Sequence, residues 1–403
     1  YATWKSYRPE DGNRLSVALT QNATWYHGAA PLRGDASMAL RVDGGMAEYE
    51  SLTHGLMATF HHELFHNLQR NIALHETGRG SLKGAAGAWE LFVEGTAVMA
   101  SSVAQPDIQF DQSWGRRSYL FRARKFVGQA GFTGNQMNES YVEIDPYSTA
   151  LYWRFLYESC GGMSRGREDP AAGMQVIRRT LEVLYSGEVV DVSASTDVVG
   201  NLSRILDAVA TEVPGCPFDS YSESMTQFAD ALYRLKLTGG RCQAPGYPAG
   251  CGLFDPNGLY PEPPVETLPA GGPAEPGGLP WRALTGNIPN SYGMDFVEIP
   301  VDPELRGSSL TVDFSSLEEL PANFEIRLWK LAALEPAIPS GQLLTASGDP
   351  EALGKPDPSG RLRYTLAPEE TSRLDRLGLV ITRVDGREAE NPDGSYRIEV
   401  NAQ

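Results

Sequence analysis

The hydrophobic period of this chain changes once, and that change limits the folds open to it. Before about residue 240 apolar residues recur every three or four positions. Beyond residue 281 they come in short runs divided by turn residues. Leu52, Leu56, Phe60, Leu64 and Leu68 lie four apart, on one helix face, so a long helix is expected from about Glu48 to about residue 75. A second apolar helix is expected from about Ala88 to Val103, and others over 116–129, 146–160, 169–186, 196–212 and 218–236. Asp145-Pro146 and Asp169-Pro170 are start signals, because Pro has no amide to lose in the first turn. Three β-like runs, Leu15–Thr20, Ala23–Tyr26 and Ser37–Val42, precede the first helix. After residue 281, strands are expected at Phe296–Val301, Leu310–Phe314, Phe324–Leu331, Leu362–Leu366, Leu377–Val384 and Tyr396–Val400. Gln243 to Pro280 is dense in Pro and Gly and is expected to carry no regular structure. The expected class is α+β: a mainly helical domain over 1–240 with a small N-terminal sheet, a linker over 241–280, and an all-β sandwich over 281–403.

Charge narrows the partners. The chain has 34 Lys and Arg against 51 Asp and Glu, a net charge of −17. Such a surface repels phosphate, so nucleic acid is not an expected partner. No clean apolar run reaches the ~18 residues of a membrane helix. The nearest, Ala85 to Ala104, carries Glu90 and Glu94, which are costly at bilayer depth. The chain opens at Tyr1 without a basic-then-apolar leader and reads as a mature or trimmed product. Its four cysteines, Cys160, Cys216, Cys242 and Cys251, fit disulfides in an oxidising compartment, which points to a secreted, periplasmic or cell-surface protein. Of three possible pairings, the short loop favours Cys242–Cys251, leaving Cys160–Cys216.

Chemistry concentrates inside the long helix. His62-Glu63-Leu64-Phe65-His66 is an HExxH pattern. The i, i+4 spacing puts both imidazoles on one face, where they can hold one metal ion. Glu63 lies beside them, placed to act as general base toward a water that zinc has acidified. A catalytic zinc site has three protein ligands and an open position. Glu90 and Glu94, on the next helix, are the two candidates for the third. His75 lies nine residues after His66 without the glycine of an HExxHxxGxxH site. His27, His54, His61 and His75 are read as non-ligands; His61 lies about 100° round the helix from His62.

These residues resemble the gluzincin class of zinc metallopeptidases, in which HExxH is followed on the next helix by an acidic ligand in an E-G-x-A pattern. Glu94-Gly95-Thr96-Ala97 matches that pattern. The stretch from His62 to Gln69, with Trp89 ahead of the acid, is similar to secreted bacterial metallopeptidases with an H-E-x-F-H-x-x-Q core. The resemblance covers roughly residues 50–160 and implies a zincin-like fold, one Zn²⁺, and Glu94 as third ligand. Glu90 keeps a claim, since Glu90 and Glu94 also mimic an ExxxD spacing in which the first acid is the ligand. A Tyr opening a further helix stabilises the tetrahedral intermediate in gluzincins. Tyr147 is similar in place, with Tyr152 as the fallback. Calcium, compatible with an acidic secreted protease, has no EF-hand loop to hold it.

Two functions are therefore expected in competition. One is a secreted zinc endopeptidase acting on protein or peptide substrates, with no intact element for gripping a substrate N-terminus. The other is a binding or adhesion protein working through the C-terminal sandwich, which resembles pre-peptidase C-terminal modules and would target a cell surface or glycan.

Overall fold

In a computed structural model, the described residues are 16–20, 28–29, 37–41, 52–77, 88–110, 118–128, 146–164, 167–190, 198–238, 253, 259–268, 281–288, 293–317, 323–332, 345–346, 351–384 and 394–402. The class is α+β. Three strands come first: β1 (Ser16–Thr20), β2 (Gly28–Ala29) and β3 (Ser37–Arg41). They form a sheet in the order β1-β3-β2, with β1 and β3 parallel. The expected run Ala23–Tyr26 lies outside the described residues. Helices α1 (Leu52–Thr77) and α2 (Ala88–Ala104) follow, then a short turn of helix at Pro106–Gln109 and α3 (Tyr119–Gly128).

The single helix expected over 146–160 is built from three pieces. A 3₁₀ turn at Pro146–Thr149 leads into α4 (Ala150–Tyr157), which ends in a wide turn over Glu158–Gly162. The reason lies at its end: Gly161 takes a positive φ of 102° and breaks the helical path. A two-strand ladder, β4 (Met163–Ser164) with β5 (Arg167–Glu168), turns the chain into α5 (Pro170–Ser186). There the Asp169 side chain accepts from the amides of Ala171 and Ala172, with Pro170 in the first turn. Helices α6 (Val198–Glu212) and α7 (Tyr221–Thr238) complete the helical part.

Contacts divide the chain into two compact units. The first comprises 1–126, 139–224 and 243–261; the second comprises 127–138, 225–242 and 262–403. In the first, α1 packs on α2 and α5, and α2 packs on α4. Phe65, Ile72, Phe92, Ala97, Leu151, Trp153 and Ile177 are buried there. Arg154 is buried too, between Glu158 at 2.5 Å and Glu168 at 2.6 Å. The guanidinium is tolerated inside because carboxylates on two sides answer its charge, one of them, Glu168, still partly exposed. One disulfide, Cys160–Cys216, ties the end of α4 to the turn before α7. Cys242 and Cys251 lie outside the described residues.

The second unit contains two antiparallel-rich sheets. One runs β11 (Thr345–Ala346), β10 (Phe324–Ala332), β14 (Arg376–Arg383), β8 (Met294–Pro300), β6 (Glu266–Thr267), with β12 (Glu351–Gly354) also on β10. The other runs β13 (Arg361–Leu366), β9 (Leu310–Ser316), β15 (Ser395–Ala402), β7 (Trp281–Asn287). Val297, Ile299, Ile326, Leu328, Leu377 and Leu379 of the first sheet share one apolar cluster with Val312, Phe314, Tyr396 and Ile398 of the second. On the first sheet's other face, the Tyr233 ring of α7 stacks on Phe296, 6.1 Å between centroids. Asp230, one turn earlier, accepts from Arg327 at 2.7 Å. Strand β6 falls in the stretch expected to be without regular structure. Pro263-Pro264 already holds the chain extended, and β6 adds to β8 in parallel. Among the described residues no helix is long and apolar enough to cross a membrane.

Candidate metal centre

Helix α1 carries His62 and His66 one turn apart, and α2 lies against it with Glu94 facing them. His62 Nε2 is 3.0 Å from His66 Nε2 and 3.1 Å from Glu94 Oε2. His66 Nε2 is 3.3 Å from the same carboxylate oxygen. Among the described residues this is the one group of three His, Cys, Asp or Glu side chains whose donor atoms converge. Zinc binds imidazole nitrogen and carboxylate oxygen at ~2.0–2.2 Å, so tetrahedral donors sit roughly 3.4 Å apart. The observed separations are close to that. The donor set of two imidazoles and one carboxylate also suits zinc.

Without a cation the three groups must share protons. Burial works against a charged His66 imidazolium, but the adjacent Glu94 carboxylate outweighs it, with help from Glu63 and Gln69, and His66 rises to about 9. Glu94 is likewise opposed by burial, yet His66 and His62 hold it well below the usual carboxylate range. The site thus stabilises positive charge where the three donor atoms meet. Glu63 is buried in α1, and its main-chain carbonyl accepts from Asn67 Nδ2 at 3.1 Å. Its negative charge is close enough to contribute to the rise of His66.

Tyr147 stands in the 3₁₀ turn before α4, its ring stacked on the His62 imidazole at 5.9 Å between centroids. The reach depends on Gly95. A Cβ there would come within 2.1 Å of Thr149 Oγ1 and 2.8 Å of Trp153, so the bare backbone lets the Tyr147 segment close against α2. The fallback Tyr152 is committed elsewhere: its hydroxyl bonds Ser224 Oγ at 2.6 Å in the core. Glu90 lies in α2, and its side chain is outside the described residues, as are those of His54 and His75. His61 turns its Nδ1 to the Met57 carbonyl at 2.9 Å.

Two residues near the site carry no role in the sequence reading. Arg122 of α3 lays its guanidinium over the Tyr147 ring, 4.9 Å from the centroid. No local pattern signals it, because α3 and the 3₁₀ turn meet only in space. Gln69 is fully buried and bonds the ring nitrogen of His66 that faces away from Glu94. Its signal was available: Gln69 is three residues after His66, on the same helix face.

No family model matches the chain, and no curated protein matches it. Among solved structures, it is similar to a surface-associated copper-binding protein, CorA, important in copper acquisition in Methylomicrobium album BG8. Sequence identity is 12%, covering 34% of this chain and 100% of that one, at a TM-score of 0.20.

Proposed function

We propose that this protein is a secreted zinc-dependent endopeptidase, with a zincin-like domain followed by a β-sandwich accessory domain. The observation that carries the reading is the convergence of His62 Nε2, His66 Nε2 and Glu94 Oε2 from two helices. His62, His66 and Glu94 would hold the ion. Bound there, zinc supplies a Lewis acid for the scissile carbonyl and a more acidic water. Glu63 takes the proton of the attacking water and returns it to the leaving amine, so one carboxylate serves as base and then acid. Tyr147, against His62, donates a hydrogen bond to the oxygen on which negative charge develops. The disulfide supports an oxidising compartment.

Glu63→Gln tests the chemistry. Zinc content should remain about one ion per chain while peptide hydrolysis drops to background, a loss of about a thousandfold or more. Metal content is read by mass spectrometry and cleavage by a quenched-fluorescence peptide library. Undiminished hydrolysis in that variant would refute the mechanism. Glu94→Ala, in parallel, should lose the zinc.

A further inference from the structure

The hydrogen bonds behind His66 form a chain whose direction is set at its far end. Main-chain carbonyls can only accept. Gln69 Nε2 lies 3.0 Å from the Val93 carbonyl of α2, so that atom must be the amide nitrogen and must donate. Its second hydrogen goes to Thr96 Oγ1 at 2.8 Å. Thr96 can accept it because its own hydroxyl proton goes to the Phe92 carbonyl. Gln69 Oε1 is therefore left as an acceptor, and it faces His66 Nδ1 at 2.7 Å. His66 must carry a proton on Nδ1 to donate there. Turning the amide over would set two acceptors face to face at a fully buried position. Gln69 and Thr96 are both fully buried.

We propose that Gln69 and Thr96 are positioning residues that lock His66 in the Nδ1–H tautomer and so keep Nε2 free for a metal ion. The inference deepens the metalloenzyme reading and rests on it. The lock comes from α2, the helix that also presents Glu94. The third ligand and the correct tautomer of the second therefore arrive together when α2 docks on α1. Gln69 bonds Val93 and Thr96, the residues flanking Glu94 and Gly95, so it also fixes the height of the carboxylate along α1. A neutral amide in this place adds no charge to the site, unlike a carboxylate partner.

The test uses the full chain. In zinc-free, histidine-labelled wild type at pH 10, where the His66 ring is neutral, nitrogen-edited NMR should show its one ring proton on Nδ1, protected from solvent exchange, and none on Nε2. Gln69→Met should lose that signal and weaken zinc binding by about 10- to 100-fold in chelator competition. Thr96→Val should weaken it less, Thr96→Ser should match wild type, and Gln69→Met with Thr96→Val should be no worse than Gln69→Met alone, because the two act in series. Absence of the protected proton in wild type overturns the lock, as does unchanged zinc affinity in Gln69→Met or multiplying losses in the double variant. If Gln69→Met does not fold, the wild-type spectrum and the Thr96 pair decide. A protected proton in a wild type that takes up no zinc would sink the metalloenzyme reading and leave the lock standing.

Discussion

At the scale of the residue, the proposed metal ion would have to displace a proton. In metal-free protein His66 holds its proton more tightly when folded, about 9 against 6.5. The imidazolium–Glu94 pairing therefore contributes fully below pH ~6.5 and is lost as the pH rises through about 9. A shift of that size corresponds to up to about 3 kcal/mol. Chelator-treated protein should melt at progressively lower temperature between pH 6.5 and 9.5, while zinc-loaded protein should not, because the ion replaces the proton. A flat profile without metal would contradict the pairing. Glu94's own depression describes the same interaction from the other side and adds nothing further.

At the scale of the element, two glycines decide which helices can close. Gly95 is where α2 meets the Tyr147 turn, with Thr149 and Trp153 already within reach of a Cβ. Gly95→Ala should cost about 1–3 kcal/mol by overpacking and should cut hydrolysis more than zinc content, since Glu94 stays in α2 while Tyr147 is pushed off His62. Thermal melts and metal analysis of the same sample separate these effects. Gly378 of β14 plays the matching part under α7, where a Cβ would fall 2.0 Å from the Tyr233 hydroxyl. The apolar run of β14, buried from Leu377 to Arg383, shows the same thing. A strand covered on both faces loses its alternation, which is why periodicity located it but gave no hint of what lies on its outer side.

At the scale of the whole molecule, long-range ties replace local signals. The Cys160–Cys216 bond closes a separation of 56 residues. By loop entropy its removal in a Cys160→Ser, Cys216→Ser variant should cost about 4 kcal/mol, read as a lowered denaturant midpoint. The contacts of Asp230 and Tyr233 in α7 with Arg327 and Phe296, on strands far along the chain, are ties of the same kind.

Much was legible beforehand. The helices expected from about Glu48 to about residue 75, from about Ala88 to Val103 and over 169–186 run Leu52–Thr77, Ala88–Ala104 and Pro170–Ser186. Spacing of apolar residues and a start signal are local properties, and local properties survive in a string of letters. The same holds for His62 and His66, whose shared face follows from 3.6 residues per turn alone. By contrast, Trp281–Asn287 and Glu351–Gly354 pair as strands without alternation to announce them, because a partner edge supplies what their own pattern lacks. The choice of an acid to face the histidines, the stacking of Tyr147 on His62 and of Arg122 on Tyr147, and the direction of the bonds through Gln69 were decided by tertiary structure. Each depends on the distance between groups on separate elements, and that distance exists only once the helices have packed.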